Sequence, residues 1–480
     1  MLAIGNLAEG KKSGIAYWMQ QVLKDAAQAR QGFDADAVHD LRVALRRCRS
    51  MGEVLLTIDP VPEWKRMRKE GKRVFSSLGD LRDCQVMMDW IKKLSEPGDP
   101  VGQKLLADAT AREQALKAVA GDSLAKFDTR AWEKWTELLS GRIRRFRPDS
   151  EIFQGIALER WEHARELHRA AMRSRSKVAL HRLRIGVKKF RYVVENFLPK
   201  IHEQIGDEMK AVQDVLGEVH DLDVLWDTSI RIHAFEAPEQ RLRWSGRIAE
   251  ERRQRVENYK QRAQGAESIW LKWRALLPDD DHAEHATMRR LQAWASVLDP
   301  DFAHTRRVSA LAVQLYDGLT RVGVLPANGS VLRRWLMSAA VMHDVGKRKG
   351  DKGHQRRTQR EIQKLELPYG WSDEQLKMIG LIARYHRGDW STIPRAELGG
   401  LQAASVRSAQ KIGGVLRLAN ALDQTHEGAI QRIEVTSTES GIVILAEGLQ
   451  DDSRLAEKIA AARHLLEVRC GVAILVRGTQ

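Results

Sequence analysis

Two sets of residues in this chain have the types and spacings to do chemistry. The first centres on His343-Asp344. His-Asp pairs occur at 39–40, 220–221 and 343–344, so the dipeptide alone says little. The third stands apart by its context, because the apolar helical run Ala339-Ala340-Val341-Met342 leads into it and Val345-Gly346-Lys347 follows with a glycine break. Upstream, His304 lies in the helical phrase Phe302-Ala303-His304-Thr305-Arg306-Arg307-Val308. Downstream, Leu416-Arg417-Leu418-Ala419-Asn420-Ala421-Leu422-Asp423 places one carboxylate on an otherwise apolar helix. A buried carboxylate needs a partner, and a metal ion is one of the few adequate ones. The set His304, His343, Asp344 and Asp423, drawn from separate helices, is therefore expected to bind a divalent metal. Two imidazoles with two carboxylates favour Mn, Fe, Ni or Zn over Mg. A metal so held would lower the pKa of bound water and polarise a phosphoryl oxygen, which amounts to hydrolysis near neutral pH. Lys347 would hold phosphate as a point charge. His354 and His386, the latter in Ala383-Arg384-Tyr385-His386-Arg387, are candidates for leaving-group contact or for extra ligation. A lone histidine is as often a hydrogen-bonded core or surface residue, so the weight rests on the set of four.

The second set is a basic helical phrase written twice. One copy runs His39-Asp40-Leu41-Arg42-Val43-Ala44-Leu45-Arg46-Arg47-Cys48-Arg49, and the other His181-Arg182-Leu183-Arg184-Ile185-Gly186-Val187-Lys188-Lys189-Phe190-Arg191. Each histidine is followed by cations at +3, +7 and +10. At about 100° per residue these positions share roughly 80° of one helix face, over about 15 Å. The opposite face is apolar: Leu41, Leu45 and Cys48, then Leu183, Val187 and Phe190. A single charge run is usually a solvated helix face. Here residues 165–192 hold ten Lys and Arg against one acid, Glu166, so local pairing cannot neutralise the stripe. Two apposed stripes would make a cationic channel whose low-dielectric walls strengthen its field. Guanidinium forks favour phosphate oxygens, and His39 and His181 would add a donor, particularly when protonated.

The elements that must position these residues are mostly helices. Helical periodicity with few Pro or Gly breaks runs from about residue 12 to 275, and Pro97-Gly98-Asp99-Pro100 marks a turn. The duplication extends to a second block, with Lys72 before Leu78-Gly79-Asp80-Leu81-Arg82-Asp83 and Lys210 before Leu216-Gly217-Glu218-Val219-His220-Asp221. Two copies predict a closed two-lobed bundle rather than a solenoid. Leu277-Pro278-Asp279-Asp280-Asp281-His282 reads as a boundary, after which the chain is helical again to about 430. Beyond it, Ile433-Glu434-Val435, Gly441-Ile442-Val443-Ile444-Leu445 and Gly471-Val472-Ala473-Ile474-Leu475-Val476 read as strands around a helix from Ser453 to Val468. The fold class is accordingly mainly all-α, a duplicated bundle then a second helical domain, with a small C-terminal α+β appendage.

The 480 residues carry 79 Lys and Arg against 64 Asp and Glu, a net +15 that points to an anionic partner. Cys48, Cys84 and Cys470 are odd in number and widely spaced, which excludes a disulfide framework and predicts a reducing cytoplasm. The first residues lack a signal-peptide pattern, and no apolar run approaches the roughly 18 residues of a membrane span. No membrane partner is expected. Aromatic residues make up 6% of the chain and no nucleic-acid recognition motif appears, so nucleic acid is not expected as a specific partner. DNA would still bind such a groove at low salt.

The doubled His-x-x-Arg-x-x-x-Arg/Lys phrase and the doubled Leu-Gly-acid block resemble the CHAD family, the conserved histidine α-helical domains, over about residues 10–275. The resemblance implies an all-α duplicated bundle that binds inorganic polyphosphate on its central basic surface. By position, the contacts would be His39, Arg42, Arg46, Arg49, Lys72, His181, Arg184, Lys188, Arg191 and Lys210. Polyphosphate granules in the cytoplasm are a candidate location. The order His304, His343-Asp344, Asp423 looks like the HD phosphohydrolase superfamily over 285–430. With the Tyr-His-Arg and Leu-Arg-x-Ala-x-x-Leu-Asp phrases and the 431–480 tail, it is similar to the C-terminal half of the exopolyphosphatase/guanosine pentaphosphatase family. That family's N-terminal actin-like ATPase domains have no counterpart here. Its histidine-rich stretch after the His-Asp is reduced to His354-Gln355-Arg356-Arg357-Thr358, which puts a second metal in doubt. Three readings follow. One is a metal-dependent phosphohydrolase with polyphosphate as favoured substrate. A second is a non-catalytic polyphosphate-binding scaffold. The third is a nucleotide phosphohydrolase that polyphosphate localises or regulates.

Overall fold

The computed structural model describes residues 14–31, 33, 35–174, 176–326, 330–391, 393–449 and 453–479. Its contacts divide the chain into two compact units, one of residues to Leu56 plus Val61–Ala286, the other of Thr57–Pro60 plus the residues from Thr287 onward.

The first unit is helical and written twice. Helices α1 (Ile15–Ala29), α2 (Ala35–Leu56), α3 (Pro62–Leu94), α4 (Pro100–Ala125) and α5 (Thr129–Ile143) form the first copy. Helices α6 (Glu151–Ser174), α7 (Lys177–Phe197), α8 (Pro199–Arg231), α9 (Pro238–Ala263) and α10 (Ile269–Ala275) form the second. Helices α3 and α8 are both 33 residues long, and α4 and α9 both 26. All four start with proline at the first helical position, where its missing N–H costs no hydrogen bond. The turn at 97–100 is capped by Asp99, which accepts from the Val101 N–H at 3.0 Å and from Trp244 Nε1 at 2.9 Å. In the first copy α1 to α4 pack in succession and α5 returns onto α1 and α3; in the second α6 to α10 pack in succession and α10 returns onto α6. The copies meet like on like, α2 on α7 and α3 on α8. Contact between equivalent elements is the mark of a two-fold relation. The predicted apolar faces are the ones buried: Leu41, Leu45, Cys48, Leu183, Val187 and Phe190 are each 0% exposed.

Helix α11 (Asp280–Leu298) follows the expected boundary, and the contact division falls inside it. The second unit continues with α12 (Phe302–Arg321), α13 (Ser330–Met342), a 3-10 turn at Val345–Lys349, α14 (His354–Ile362), α15 (Asp373–Tyr385) and α16 (Ala403–Leu422). Helices α12, α13, α15 and α16 pack on one another around an aliphatic core that includes Leu311, Leu336, Ile379, Leu416 and Leu418. The tail is β1 (Arg432–Thr438), β2 (Gly441–Glu447), α17 (Ser453–Cys470) and β3 (Ile474–Gly478). Strands β1 and β2 form an antiparallel hairpin, and β3 adds in parallel beside β2 after the α17 crossover. Alternation sends Ile433, Val435, Ile442, Ile444 and Ala446 to the core, with Val435 opposite Ile444. The chain is thus mainly α-helical with a small α+β tail, as its periodicity predicts. No described helix is long and apolar enough to cross a membrane.

Candidate functional site

The basic stripes face each other. Lys188 on α7 lies within the electrostatic reach of Arg184 and, from α2, of Arg46, Arg49 and Arg42. Burial first, then these cations, push its ammonium down to about 8. The guanidinium groups lean on aromatic faces: Arg42 and Arg49 lie over the Phe75 ring at 4.8 and 4.5 Å, and Arg46 and Lys188 flank Tyr192 at 5.7 and 5.8 Å. Arg42 Nη1 and Arg46 Nε are shielded from solvent yet have no hydrogen-bond partner among the described residues. Buried donors left unpaired are costly, so such donors point to a ligand.

The second repeated block explains itself against these arginines. Arg42 reaches Asp83 at 4.0 Å, and a Cβ added to Gly79 would lie 2.9 Å from Arg42 Nη1. In the other copy Arg184 lies beside Asp221, and a Cβ on Gly217 would stand 4.0 Å from Arg184 Nε. In the first copy the glycine leaves room for the arginine head, and in both an acid lies within electrostatic reach of it. Burial lifts the Asp221 carboxyl to about 6, with Arg184 opposing and Asp83 and Glu218 adding to the rise.

The copies part at two points. Arg191 pairs with Glu195 at 3.5 Å, and Arg47 binds that same carboxylate, whereas Arg49 stays on Phe75. His181 packs against His220 at 4.6 Å between ring centres. Burial, Arg184 and His181 push His220 down to about 4. Burial, Arg184 and Lys188 lower His181 as well. His39 on α2, Lys72 on α3 and Lys210 on α8 are exposed.

In the second unit the buried carboxylate of Asp344 sits in a bowl of imidazoles. Its Oδ2 is 3.4 Å from His343 Nε2 and 3.9 Å from His304 Nε2, and its Oδ1 is 3.2 Å from His354 Nε2 and 3.6 Å from His386 Nε2. Lys347 Nζ closes on Oδ2 at 2.6 Å. Burial opposes the charge, and only positive charge at His343, His354, His386 and Lys347 lowers the Asp344 carboxyl below the usual carboxylate range, so neutral rings leave that role to Lys347 and to a bound cation. Three of the rings are aimed by the backbone. His343 Nδ1 donates to the Ala340 carbonyl at 2.7 Å, His354 Nδ1 to Asp351 at 2.7 Å and His386 Nδ1 to Ala383 at 2.5 Å. With the proton fixed on Nδ1, each Nε2 presents a lone pair to the centre.

The donor set fits a metal. The Nε2 atoms of His354 and His386 are 2.9 Å apart, and two facing lone pairs at that distance repel unless a cation lies between them. Burial, then the neighbouring His343, push His386 well below the usual imidazole range, so a shared proton is disfavoured. His343 Nε2 and Asp344 Oδ1 are buried with no hydrogen-bond partner among the described residues. Two ligand groups emerge: His304, His343 and Asp344, and Asp344, His354 and His386, with Asp344 common to both. The structure thus places His354 and His386 among the candidate ligands. Asp423, expected as a ligand, falls in neither group. It accepts from His304 Nδ1 at 2.7 Å, from Arg307 Nε at 2.9 Å and from the Gly428 N–H at 3.2 Å, so it orients His304. Glycine is required at 346, where a Cβ would come 2.7 Å from Thr358 N and closer still to the His354 carbonyl. That close approach seats α14 and delivers His354.

Beside the centre lies a cavity of about 180 Å³ lined by His304, His386, four cations (Lys347, Arg387, Arg417 and Lys458) and the amides of Asn420 and Gln424. Arg307, Asn420 and His426 were not singled out by the sequence. Arg307 and Asn420 stand one helical turn from His304 and Asp423, a spacing that marks them, and His426 stacks on His304 at 3.9 Å. Lys458 carries no such signal.

Comparison with known proteins places both halves. Residues 15–229 match the model of the CHAD domain, and residues 284–456 match Ppx/GppA phosphatase, domain III. No curated protein matches the chain. Among solved structures, the crystal structure of the CHAD domain from the plant Ricinus communis aligns with 54% of this chain and 88% of its own, at 18% identity and a TM-score of 0.38. The chain carries a CHAD domain followed by a Ppx/GppA phosphatase domain III.

Proposed function

We propose that this protein is a metal-dependent phosphohydrolase of inorganic polyphosphate, its basic groove capturing the chain and its His/Asp centre cleaving it. The reading rests chiefly on one observation, the buried Asp344 carboxylate with histidine Nε2 atoms facing both of its oxygens. His304, His343 and Asp344 would hold one divalent ion, and Asp344, His354 and His386 a second. Such ions supply Lewis-acid polarisation of a phosphoryl oxygen and acidified water. The chain's own residues do the rest. The backbone carbonyls of Ala340, Asp351 and Ala383 fix the ring orientations. Asp423 pairs with His304 Nδ1 and orients the ring, and Arg307 neutralises that carboxylate. Lys347 stands between Asp344 and the cavity, where its ammonium can pass from the carboxylate to an incoming phosphate. The same anion chemistry supports the groove, whose buried arginine donors lack partners. Joining groove and centre in one chain raises the local concentration of bound polyphosphate at the centre.

The test is phosphate release from long-chain polyphosphate with added Mn²⁺, comparing the protein with its Asp344→Ala variant. Metal-dependent release that the variant lacks is expected. A wild-type protein that binds polyphosphate tightly and releases no phosphate would leave a holding role and end the hydrolase reading.

A further inference from the structure

We propose that α17, the helix of the C-terminal tail, forms a wall of the phosphate cavity, and that Lys458 with Arg417 positions the phosphates beyond the reacting one. This deepens the reading above and takes the identity of the site from it. Arg417 is half-buried on α16. Its Nη2 donates to the Gly388 carbonyl at 2.7 Å, while Nη1 is buried with no partner among the described residues and belongs to a residue lining the cavity. Burial pushes this guanidinium below its ordinary value, and only Asp389 opposes the shift. The buried Nη1 of an arginine so placed calls for an acceptor from a bound anion.

Lys458 enters from the tail. It shares one face of α17 with Ala461 and Ala462, which also line the cavity, and their methyl groups leave the space open. Helix α17 packs along α16. The approach is close at Gly414, one turn before Arg417, where a Cβ would come 3.2 Å from the Leu466 backbone. Among the described residues, the cavity lining includes four cations and no carboxylate.

Size argues for the ligand. The cavity of about 180 Å³ is lined mainly by cations, imidazoles and amides and has room for several ordered waters or a small anion. Drug-sized organic ligands take about 300–1,000 Å³. The cavity therefore fits the bare end of an inorganic polyphosphate chain, with its terminal phosphate at the His/Asp centre and the next ones on Arg417 and Lys458.

The test uses the full chain with its groove silenced by Arg46→Ala and Lys188→Ala, so that inorganic tripolyphosphate binding, read by calorimetry with Mn²⁺ present, reports the cavity. Lys458→Ala on that background is expected to weaken binding about tenfold, and Lys458→Arg to restore most of it. Arg417→Ala should weaken it at least as much. In the otherwise native chain, Lys458→Ala should raise KM for short polyphosphate with little change in kcat, since its contact is remote from the reacting phosphate. Lys458 is exposed, so an unchanged melting temperature is expected to accompany the loss. No residual binding in the silenced chain, or binding indifferent to Lys458, would overturn the proposal. Binding that depends on Lys458 without any hydrolysis would uphold it while removing the hydrolase reading.

Discussion

Replacing Gly79 by alanine should separate folding from anion capture. Gly79 lies inside α3, where alanine is the better helix former by about 1 kcal/mol. The new methyl would stand 2.9 Å from Arg42 Nη1, tighter than any comfortable contact. The atom in its way is the far end of a flexible side chain, so the arginine gives way and the backbone stays. Stability should therefore rise, by about 0.5–1 kcal/mol in urea denaturation. Binding should fall, because Arg42 leaves its place beside Asp83 and the groove loses one charge-assisted contact worth about 1.5–3 kcal/mol, or roughly tenfold or more in affinity. The repeat supplies the control. At Gly217 the nearest arginine atom is 4.0 Å away, ordinary contact, so Gly217→Ala should gain the same stability and keep its affinity. The assay is fluorescence anisotropy with labelled long-chain polyphosphate at several salt concentrations, alongside urea melts of both variants. Equal affinity in the two variants, or a loss of stability in Gly79→Ala, would refute the account of why this glycine is there.

Three further outcomes are expected. Titration with Mn²⁺ should find two ions per chain in the wild type, one in His386→Ala, and neither in Asp344→Ala, because only Asp344 serves both groups; loss of a single ion from Asp344→Ala would contradict the shared carboxylate. Gly346→Ala should cost about 3 kcal/mol or more by overpacking, since the atoms it meets are backbone of α14, and should weaken the ion held by His354 even where the protein remains folded at low temperature. Polyphosphate affinity should be full below pH 8 and decline as pH rises past it: Lys188 titrates at about 8 in the free groove, only its protonated form attracts the anion, and bound anion favours that form. Lys188→Arg should flatten this decline between pH 7 and 9, and an unchanged slope would place the titrating group elsewhere.

The helical frame was legible because periodicity is a local property. Leu41, Leu45, Cys48 and their counterparts in α7 are buried as the 100° spacing requires, and the hairpin at 432–447 follows its alternation. The ladder was legible up to its last rung. There Glu195 draws in Arg47 from 148 residues away as well as Arg191, a competition that no single helix displays. The His/Asp centre was half legible. The expectation gathered His304, His343 and Asp344, but the convergence of His354 and His386 depends on how closely α14 sits against Gly346, and sequence spacing does not encode that distance. Asp423 shows the converse. A lone acid on an apolar helix does need a partner, and an imidazole with a guanidinium supplied it. Lys458 was invisible because an exposed lysine on a short tail helix resembles any other until the fold brings it to a cavity.

The like-on-like packing of α2 against α7 makes the groove nearly blind to direction. A ligand turned end for end meets the same ladder of cations in the same order. Nucleic acid strands run from a 5′ to a 3′ end and would gain nothing from such symmetry. A chain of phosphates joined by anhydride bonds, the proposed ligand, reads identically both ways, so either orientation of encounter would be productive and part of the orientational restriction on association would be relieved. The rungs where the copies differ, Arg49 on Phe75 against Arg191 tied to Glu195 and the His181–His220 pair, are then places where the groove tells its two ends apart.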